Sequence, residues 1–378
     1  MEFTIDKKGL QAGVSAVEKI VATRSTLPII GYLLFEARKK ELRVSANNLE
    51  IGIELNIPSS VEKDGSVLIP AKTLSGIVAK LPDSNVSFKL NEKGTIKISF
   101  GQSNFNVHTL PPDEFPALPR VKEGKSFSLS GKLFATMVHQ TIFSVSASED
   151  KHVLTGVLFE FGKGAKGEES NFRMVATDGY RLAKVGAEVE MKGEIKTNII
   201  IPAKALQEVA RIIEQDKEDT KLEINFGKDQ IAFQYRDVYL VSRIIQGQFP
   251  DYKQVLPKKS ATKVVISRKT LLESCERAGV IAAGSANIVR FDIKEGKLRL
   301  FASTPDVGTV DEVLDAKITG QGQVQIAFNI RLVTDVLKVL DSDKVTLDLS
   351  EALGPGLIRG DDEGYLYIVM PIRTQEAA

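Results

Sequence analysis

The sequence predicts an α+β protein of three tandem similar domains, each two helices packed on antiparallel β-sheets. Three observations predict it. Segments of one character recur three times in one order. The stretches between them alternate apolar with polar residues, the pattern of half-buried strands. The 378 residues, 43% of them apolar, are enough to give each of two or three domains its own core.

The recurring segments fall into three sets. VLIPAKTLSGIVAKL from Val67, IIIPAKALQEVARII from Ile199 and VQIAFNIRLVTDVLKVL from Val324 each run a short apolar strand into an amphipathic helix, at spacings of 132 and 125 residues. LRVSANNLEIGIE from Leu42, FRMVATDGYRLAKV from Phe172 and LRLFASTPDVGTV from Leu298 recur at 130 and 126. The third set is a helix near each repeat's start, over Lys8–Thr23, Ser130–Phe143 and Ser267–Val280. A period this long means tandem domains, because solenoid repeats run to roughly 20–50 residues.

In the first helix Leu10, Val14, Val17 and Val21 share one face. Ser130 and Ser267 stand where N-caps belong. SNFNVHTL, TKLEINF, QIAFQY and KVTLDLS alternate as strands, separated by turns such as Glu92-Lys93-Gly94, Gly227-Lys228-Asp229 and Lys294-Glu295-Gly296. FPALPRVKEGK (Phe115–Lys125) and FPDYKQVLPKKSAT (Phe249–Thr262) are rich in proline and lysine and read as linkers. The domains are therefore set at residues 1–120, 125–257 and 261–374.

Charge is balanced, with 50 cationic and 49 acidic side chains and a net +1, so any basic surface must be local. The six predicted helices (the three above with Ala71–Leu81, Ala203–Ile213 and Asn329–Leu340) carry +7 together, which leaves −6 for the rest. A surface shared by these helices would be positive on a nearly neutral molecule. The single cysteine, Cys275, excludes a disulfide framework and a cysteine-based zinc site, and fits a reducing cytosol. The opening MEFTIDKKGL lacks the basic start and apolar run of a secretory signal. No run approaches the ~18 apolar residues of a membrane span. The chain is expected to be soluble and cytoplasmic, with no membrane partner.

Little in the sequence points to catalysis. His108, His139 and His152 lie in different local contexts with no metal-ligand spacing. Gly162-Lys163-Gly164-Ala165-Lys166-Gly167 matches G-x-G-x-x-G, but Glu-Glu-Ser-Asn and another strand follow instead of the helix that a dinucleotide site needs, so it reads as a hairpin loop. Asp341, Asp343 and the Asp361-Asp362-Glu363-Gly364 turn do not fit a twelve-residue calcium loop. No catalytic residue, metal site or cofactor is expected.

Several strings then carry a resemblance. ATDGYRLA (Ala176–Ala183), FPDYKQVLP (Phe249–Pro257) and the C-terminal YIVMPIR (Tyr367–Arg373) resemble stretches of the bacterial DNA sliding clamps, the beta subunit of DNA polymerase III. RSTLPIIGYLLFE (Arg24–Glu36) and LTGVLFE (Leu154–Glu160) match as well. The strings span the chain in the family's order. The resemblance implies three domains per chain and a head-to-tail dimeric ring of six domains, with helices lining the hole and sheets outside. It implies a non-enzymatic processivity factor that encircles double-stranded DNA regardless of sequence. Its partners would be a second copy of itself, replicative and translesion polymerases, the clamp loader and other proteins with clamp-binding motifs. A closed ring retains DNA by topology, so phosphate contacts can be few and loose.

By the same resemblance the DNA contacts are Arg24, Lys72, Lys204 and the loop residues Ser148, Lys151 and His152. Some members carry paired tyrosines in that loop, where this chain has His152 and Val153. The partner-peptide cleft comprises Thr177, Gly179, Tyr180, Arg181 and Leu182, then Pro250 and Val255. Asn329, Leu332, Leu353 and Pro355 join them, with Ile368, Val369, Met370, Pro371, Ile372 and Arg373. Leu332 stands where some members have tyrosine. Apolar walls with an adaptable methionine suit a groove that accepts several partners. Phe105 and Val107 of the first domain and Val280 and Ile281 of the third take the dimer-interface positions. Two other readings compete: an enzyme with a triad at a domain junction, and a peptide-binding scaffold that never meets DNA.

Overall fold

The computed structural model describes residues 1–22, 27–121, 124–162, 170–257, 260–350 and 353–373. Arg24 and the glycine-rich segment from Lys163 to Gly167 lie outside them. Among the described residues each repeat holds nine strands and two helices in one order. The first runs β1 (Glu2–Asp6), α1 (Lys7–Glu18), β2 (Tyr32–Arg38), β3 (Glu41–Asn47), β4 (Ile51–Pro58), β5 (Ser60–Lys63), β6 (Gly65–Pro70), α2 (Ala71–Val78), β7 (Asn85–Leu90), β8 (Thr95–Phe100) and β9 (Ser103–His108). The second runs β10 (Lys125–Ser130), α3 (Gly131–Ile142), β11 (Gly156–Phe161), β12 (Phe172–Thr177), β13 (Arg181–Ala187), β14 (Glu190–Lys192), β15 (Ile199–Pro202), α4 (Ala203–Glu214), β16 (Lys221–Phe226), β17 (Gln230–Tyr235) and β18 (Val238–Arg243). The third runs β19 (Thr262–Ser267), α5 (Arg268–Ala282), β20 (Ile288–Lys294), β21 (Lys297–Thr304), β22 (Gly308–Asp315), β23 (Lys317–Gly320), β24 (Val324–Asn329), α6 (Ile330–Val339), β25 (Lys344–Leu349), β26 (Gly356–Arg359) and β27 (Tyr365–Val369).

The helices start where side chains can take the orphan amides of their first turns. Asp6 accepts from Lys8 N and Gly9 N, Ser130 from Leu133 N, Ser267 from Thr270 N and Asn329 from Arg331 N. α2 and α4 instead begin directly after Pro70 and Pro202, whose missing N–H costs nothing at a helix start.

The chain divides into two compact units. One holds residues 1–135, 190–194 and 204–244; the other holds 136–189, 195–203 and 245–378. The cut passes through the second repeat because it follows the sheets. Every repeat supplies a five-strand half and a four-strand half. In the first unit, β5-β1-β7-β8-β9 stands as its own sheet, while β14-β10-β16-β17-β18 runs on into β4-β3-β2-β6. In the second, β15-β11-β12-β13 runs on into β27-β26-β25-β19-β23, and β22-β21-β20-β24 stands alone. The two seams, β18 on β4 and β27 on β13, are antiparallel and repeat the same register: Leu240 faces Ile53, and Tyr367 faces Ala183.

Aromatic side chains fill the space under the helices. Phe3 stacks on Phe88 with centroids 4.7 Å apart in the first unit, and Phe159 meets Phe172 edge-on at 5.1 Å in the second. Each such burial is worth about 1.5–3 kcal/mol.

Three expectations need correction. α1 ends at Glu18, so Val21 lies beyond it; Leu10, Val14 and Val17 hold the buried face, and Ile20 continues it outside the helix. With the observed bounds the six helices carry +5 rather than +7, and α4 is neutral because Glu214 belongs to it. The segment from Phe249 is more than a linker: Tyr252–Val255 forms a 3-10 turn and Tyr252 is buried. Proline and lysine content missed the aromatic anchor inside it.

Candidate functional site

The predicted cleft residues lie in the second unit, where β13 meets β27. The turn before β13 is fixed by its own side chains. Asp178 Oδ1 accepts from Tyr180 N (2.8 Å) and Arg181 N (3.1 Å), Thr177 Oγ1 accepts from Gly179 N (3.1 Å), and Gly179 takes φ +95°. Glycine suits that conformation because it has no Cβ to clash. The turn lifts Tyr180 into solvent at 64% exposure. Met370 N donates to Tyr180 O (2.8 Å), which places Met370 beside it at the end of β27.

Beneath them lies a buried apolar cluster: Leu158, Val175, Leu182, Ile200, Ile245, Tyr252 and Ile368, flanked by Val153, Phe249 and Leu256. Leu182 and Ile368 are register partners across the seam. Tyr180, Val255, Leu353 and Met370 are exposed. An apolar surface of this kind on a rigid sheet can accept apolar side chains of a peptide.

Arg181 joins the turn to α6. Its guanidinium pairs with Asp178 (3.0 Å) and Asp335 (2.6 Å) and lies over the Phe143 ring at 5.4 Å. Burial pushes its pKa down, but the Asp335 and Asp178 carboxylates outweigh that and raise it, so it is always charged. Tyr367 stacks near Phe143 and donates to Leu332 O (2.7 Å). Thus Arg181 and Leu332 are tied into one network. Asn329 caps α6, while Pro355, Pro371 and Ile372 are half-buried and Pro250 and Arg373 exposed. Val369 is fully buried, so it supports the floor rather than lining the surface. Ile372 N donates to Ala327 O (2.8 Å), fixing the chain after the seam.

Sequence reasoning missed Asp178 and Asp335, although Asp178 sits inside the matched ATDGYRLA string. It also assigned Lys151 to DNA alone. Here the Lys151 ammonium donates to Asp178 O (2.9 Å) and stands 5.2 Å from the Tyr180 ring centroid.

The first unit builds a copy of this turn with a different surface. Asn48 Oδ1 accepts from Glu50 N (3.0 Å) and Ile51 N (2.8 Å), Leu49 takes φ +76°, and Arg243 N donates to Glu50 O (3.0 Å). The side chains differ. Glu50 replaces Tyr180, Arg243 replaces Met370, and Gly52 replaces Leu182. A Cβ at Gly52 would stand 3.0 Å from Leu118 Cγ, so the connecting segment already fills that space. What remains is a cavity of about 150 Å³.

The other expected residues stand on several different elements. Lys72 and Lys204 are exposed, each the second residue of its helix. Ser148 and His152 are exposed on the segment before β11. Phe105 is 42% exposed on β9 and stacks on Phe100 at 5.9 Å, whereas Val107 is only 8% exposed and already faces its own sheet's core. Val280 is exposed and Ile281 half-buried at the end of α5. His108 and His139 are exposed. Cys275 is buried, which pushes its thiol pKa up. Among the described residues no group of three or more His, Cys, Asp or Glu could hold a metal ion, and no helix is long and apolar enough to cross a membrane.

Residues 1–119, 128–251 and 253–373 match the models of the N-terminal, central and C-terminal domains of the DNA polymerase III beta subunit. The chain is 32% identical to the beta sliding clamp of Staphylococcus aureus, covering 99% of this chain and all of that one. Its structure is similar to the DNA polymerase sliding clamp of Bacillus subtilis, with 30% identity, 99% of both chains covered and a TM-score of 0.92. It is also similar to the Bartonella birtlesii sliding clamp bound to griselimycin, at 29% identity over 99% of this chain and 100% of that one, with a TM-score of 0.93.

Proposed function

Because the chain belongs to the DNA polymerase III beta subunit family, the bacterial sliding clamps, we propose that two copies close head to tail into a ring around duplex DNA and hold polymerases through the Tyr180–Met370 cleft. The protein is a DNA polymerase processivity factor with the family's three-domain fold, and it is not an enzyme. Its domains are read as residues 1–120, 125–257 and 261–374, and its setting as the cytoplasm.

The observation that carries the ring is the repeating seam. The ninth strand of the second repeat pairs with the fourth of the first, and the ninth of the third with the fourth of the second. This leaves β9, a ninth strand, and β22, a fourth strand, as the outer strands of their sheets. An unpaired sheet edge invites another strand. If β9 pairs with β22 of a second copy, and β22 with that copy's β9, six equivalent junctions close a ring. The repeat also dictates register. Ala302 faces Val310 as Ala46 faces Ile53 and Ala176 faces Ala183. Phe100 faces Ser103 as Tyr235 faces Val238. Phe105 therefore takes the place of Leu240 and should oppose Val310, which covers its exposed ring.

In this reading Arg24, Lys72, Lys204, Ser148, Lys151 and His152 meet the phosphate backbone without reading bases. Enclosure, rather than tight binding, keeps the protein on DNA. The cleft residues take partner peptides, and we extend to the same cleft the griselimycin site of the Bartonella relative.

Retention on nicked circular DNA tests the ring. The protein should stay on the circle in high salt and leave once the circle is cut. Equal loss from circular and linear DNA would overturn the reading. A scaffold that never meets DNA would bind neither.

A further inference from the structure

We infer that Lys151 couples DNA contact to occupancy of the partner cleft, each site's ligand strengthening the other. The inference rests on the clamp reading above and concerns how its two sites communicate.

The segment Glu149–Leu154 is a short 3-10 stretch interrupted at Lys151, which has φ −99° and ψ 48°. Its far end is anchored in the cleft: Val153 packs on the cluster containing Leu182 and Ile368. Val153 also abuts Gly247, where a Cβ would stand 2.5 Å from Val153 Cγ1. From this anchor the Lys151 side chain reaches the Tyr180 turn, bonding Asp178 O and facing the Tyr180 ring. Lys151 forms no ion pair with a carboxylate among the described residues. Asp178 is already engaged by Arg181. The ammonium thus rests on a neutral carbonyl and a ring face, both weak partners in water.

A phosphate is a stronger partner for an exposed ammonium, and the flexible four-carbon stem lets the head turn toward it while the segment stays anchored. Once it leaves, the Tyr180 ring is free to pack against an apolar side chain of a peptide. Conversely, a peptide seated on Tyr180 displaces the ammonium and makes it available to phosphate. Linkage requires the two effects to be equal in size. The consequence is a cleft that favours partners when the ring carries DNA.

The test measures labelled griselimycin binding to the full-length protein at low salt, with and without a saturating short DNA duplex. In the native chain the duplex should tighten binding by about 3–10-fold, the size typical of a modest coupling. Lys151→Met keeps an apolar stem and removes the charge. It should bind the probe as tightly without DNA as the native chain does with DNA, and show no further change when DNA is added. Equal affinity with and without duplex in the native chain, or full coupling surviving in Lys151→Met, would overturn the inference. Retention on nicked circles is scored separately: if retention holds while coupling is absent, this inference alone fails; if retention is absent, the clamp reading itself fails.

Discussion

The hydroxyl of Tyr252 donates a 2.6 Å hydrogen bond to Glu160, a buried carboxylate one residue before the end of β11. Arg173 of β12 (2.7 Å) and Lys253 (2.8 Å) pair with the same group. Burial alone would push the Glu160 pKa up, but the bonds from Lys253, Tyr252 and Arg173 outweigh it and hold the carboxyl at about 2. One acid therefore pins the segment that carries Pro250 and Val255 to the sheet beneath the cleft.

The sign of the pH effect follows. The folded pKa of Glu160 lies below its unfolded value, so the stabilisation is present above about pH 4.3 and fades as pH falls toward 2. Acid unfolding of Glu160→Gln should consequently show a flatter stability profile between about pH 5 and pH 2 than the native chain. At neutral pH the same substitution leaves Arg173 buried without its counter-charge and should cost about 3–5 kcal/mol. Tyr252→Phe, which removes one bond, should cost about 1–3 kcal/mol. Urea midpoints across that pH range measure all three.

Tyr180 separates binding from folding. Its ring is mostly in solvent and the turn beneath it is held by Asp178 and Thr177, so Tyr180→Ala should change stability by less than about 0.5 kcal/mol. If the ring forms a wall of the cleft, griselimycin affinity should fall by about 10-fold, near 1.4 kcal/mol. An unchanged affinity with an unchanged melting temperature would remove Tyr180 from the site.

The register proposed for ring closure sets Asn104 opposite Asp311. Both are exposed on their edge strands, and opposed residues bring their Cβ atoms to about 4.5–5.5 Å, close enough for a disulfide after small adjustments. Mild oxidation of a chain carrying Asn104→Cys and Asp311→Cys should give a covalently closed dimer. Cys275 should not interfere, since it is buried and its thiol is held protonated. Pairing Asn104→Cys with Glu312→Cys shifts the register by one residue and should cross-link far less. The reverse ranking would show the register to be wrong.

The repeats, helix starts and most strands were legible because each depends on local spacing. VLIPAK and IIIPAK announce a strand followed by a helix without reference to the rest of the chain. The seams were not legible. Whether β18 joins β4 depends on side chains some 185 residues apart, and no local period records that. Tyr252 was hidden for a related reason: proline and lysine dominate its neighbourhood, and only the distant Glu160 explains why an aromatic is buried there. The cleft residues came from resemblance. Physical reasoning from the sequence offered no way to see that the Thr177–Arg181 turn lifts an aromatic ring into solvent over an apolar cluster, while its Asn47–Ile51 copy has Gly52 backed by Leu118.

Lys72 and Lys204 allow a direct test of the proposed DNA contacts. They occupy the same position in α2 and α4, immediately after a Pro-Ala start, and both are exposed. If each neutralises one phosphate, the two copies in the ring lose two contacts per substitution, so Lys72→Ala and Lys204→Ala should each reduce the slope of log K against log salt by about 1.8 for a short duplex. The double substitution should reduce it by about twice that, since separated sites act independently. Melting temperatures should hardly move, because neither side chain is buried. Retention on nicked circles should survive both changes, because enclosure does not depend on any one contact. A slope that stays fixed while retention persists would remove these two lysines from the DNA surface, whereas lost retention would mean that attraction rather than topology holds the ring in place.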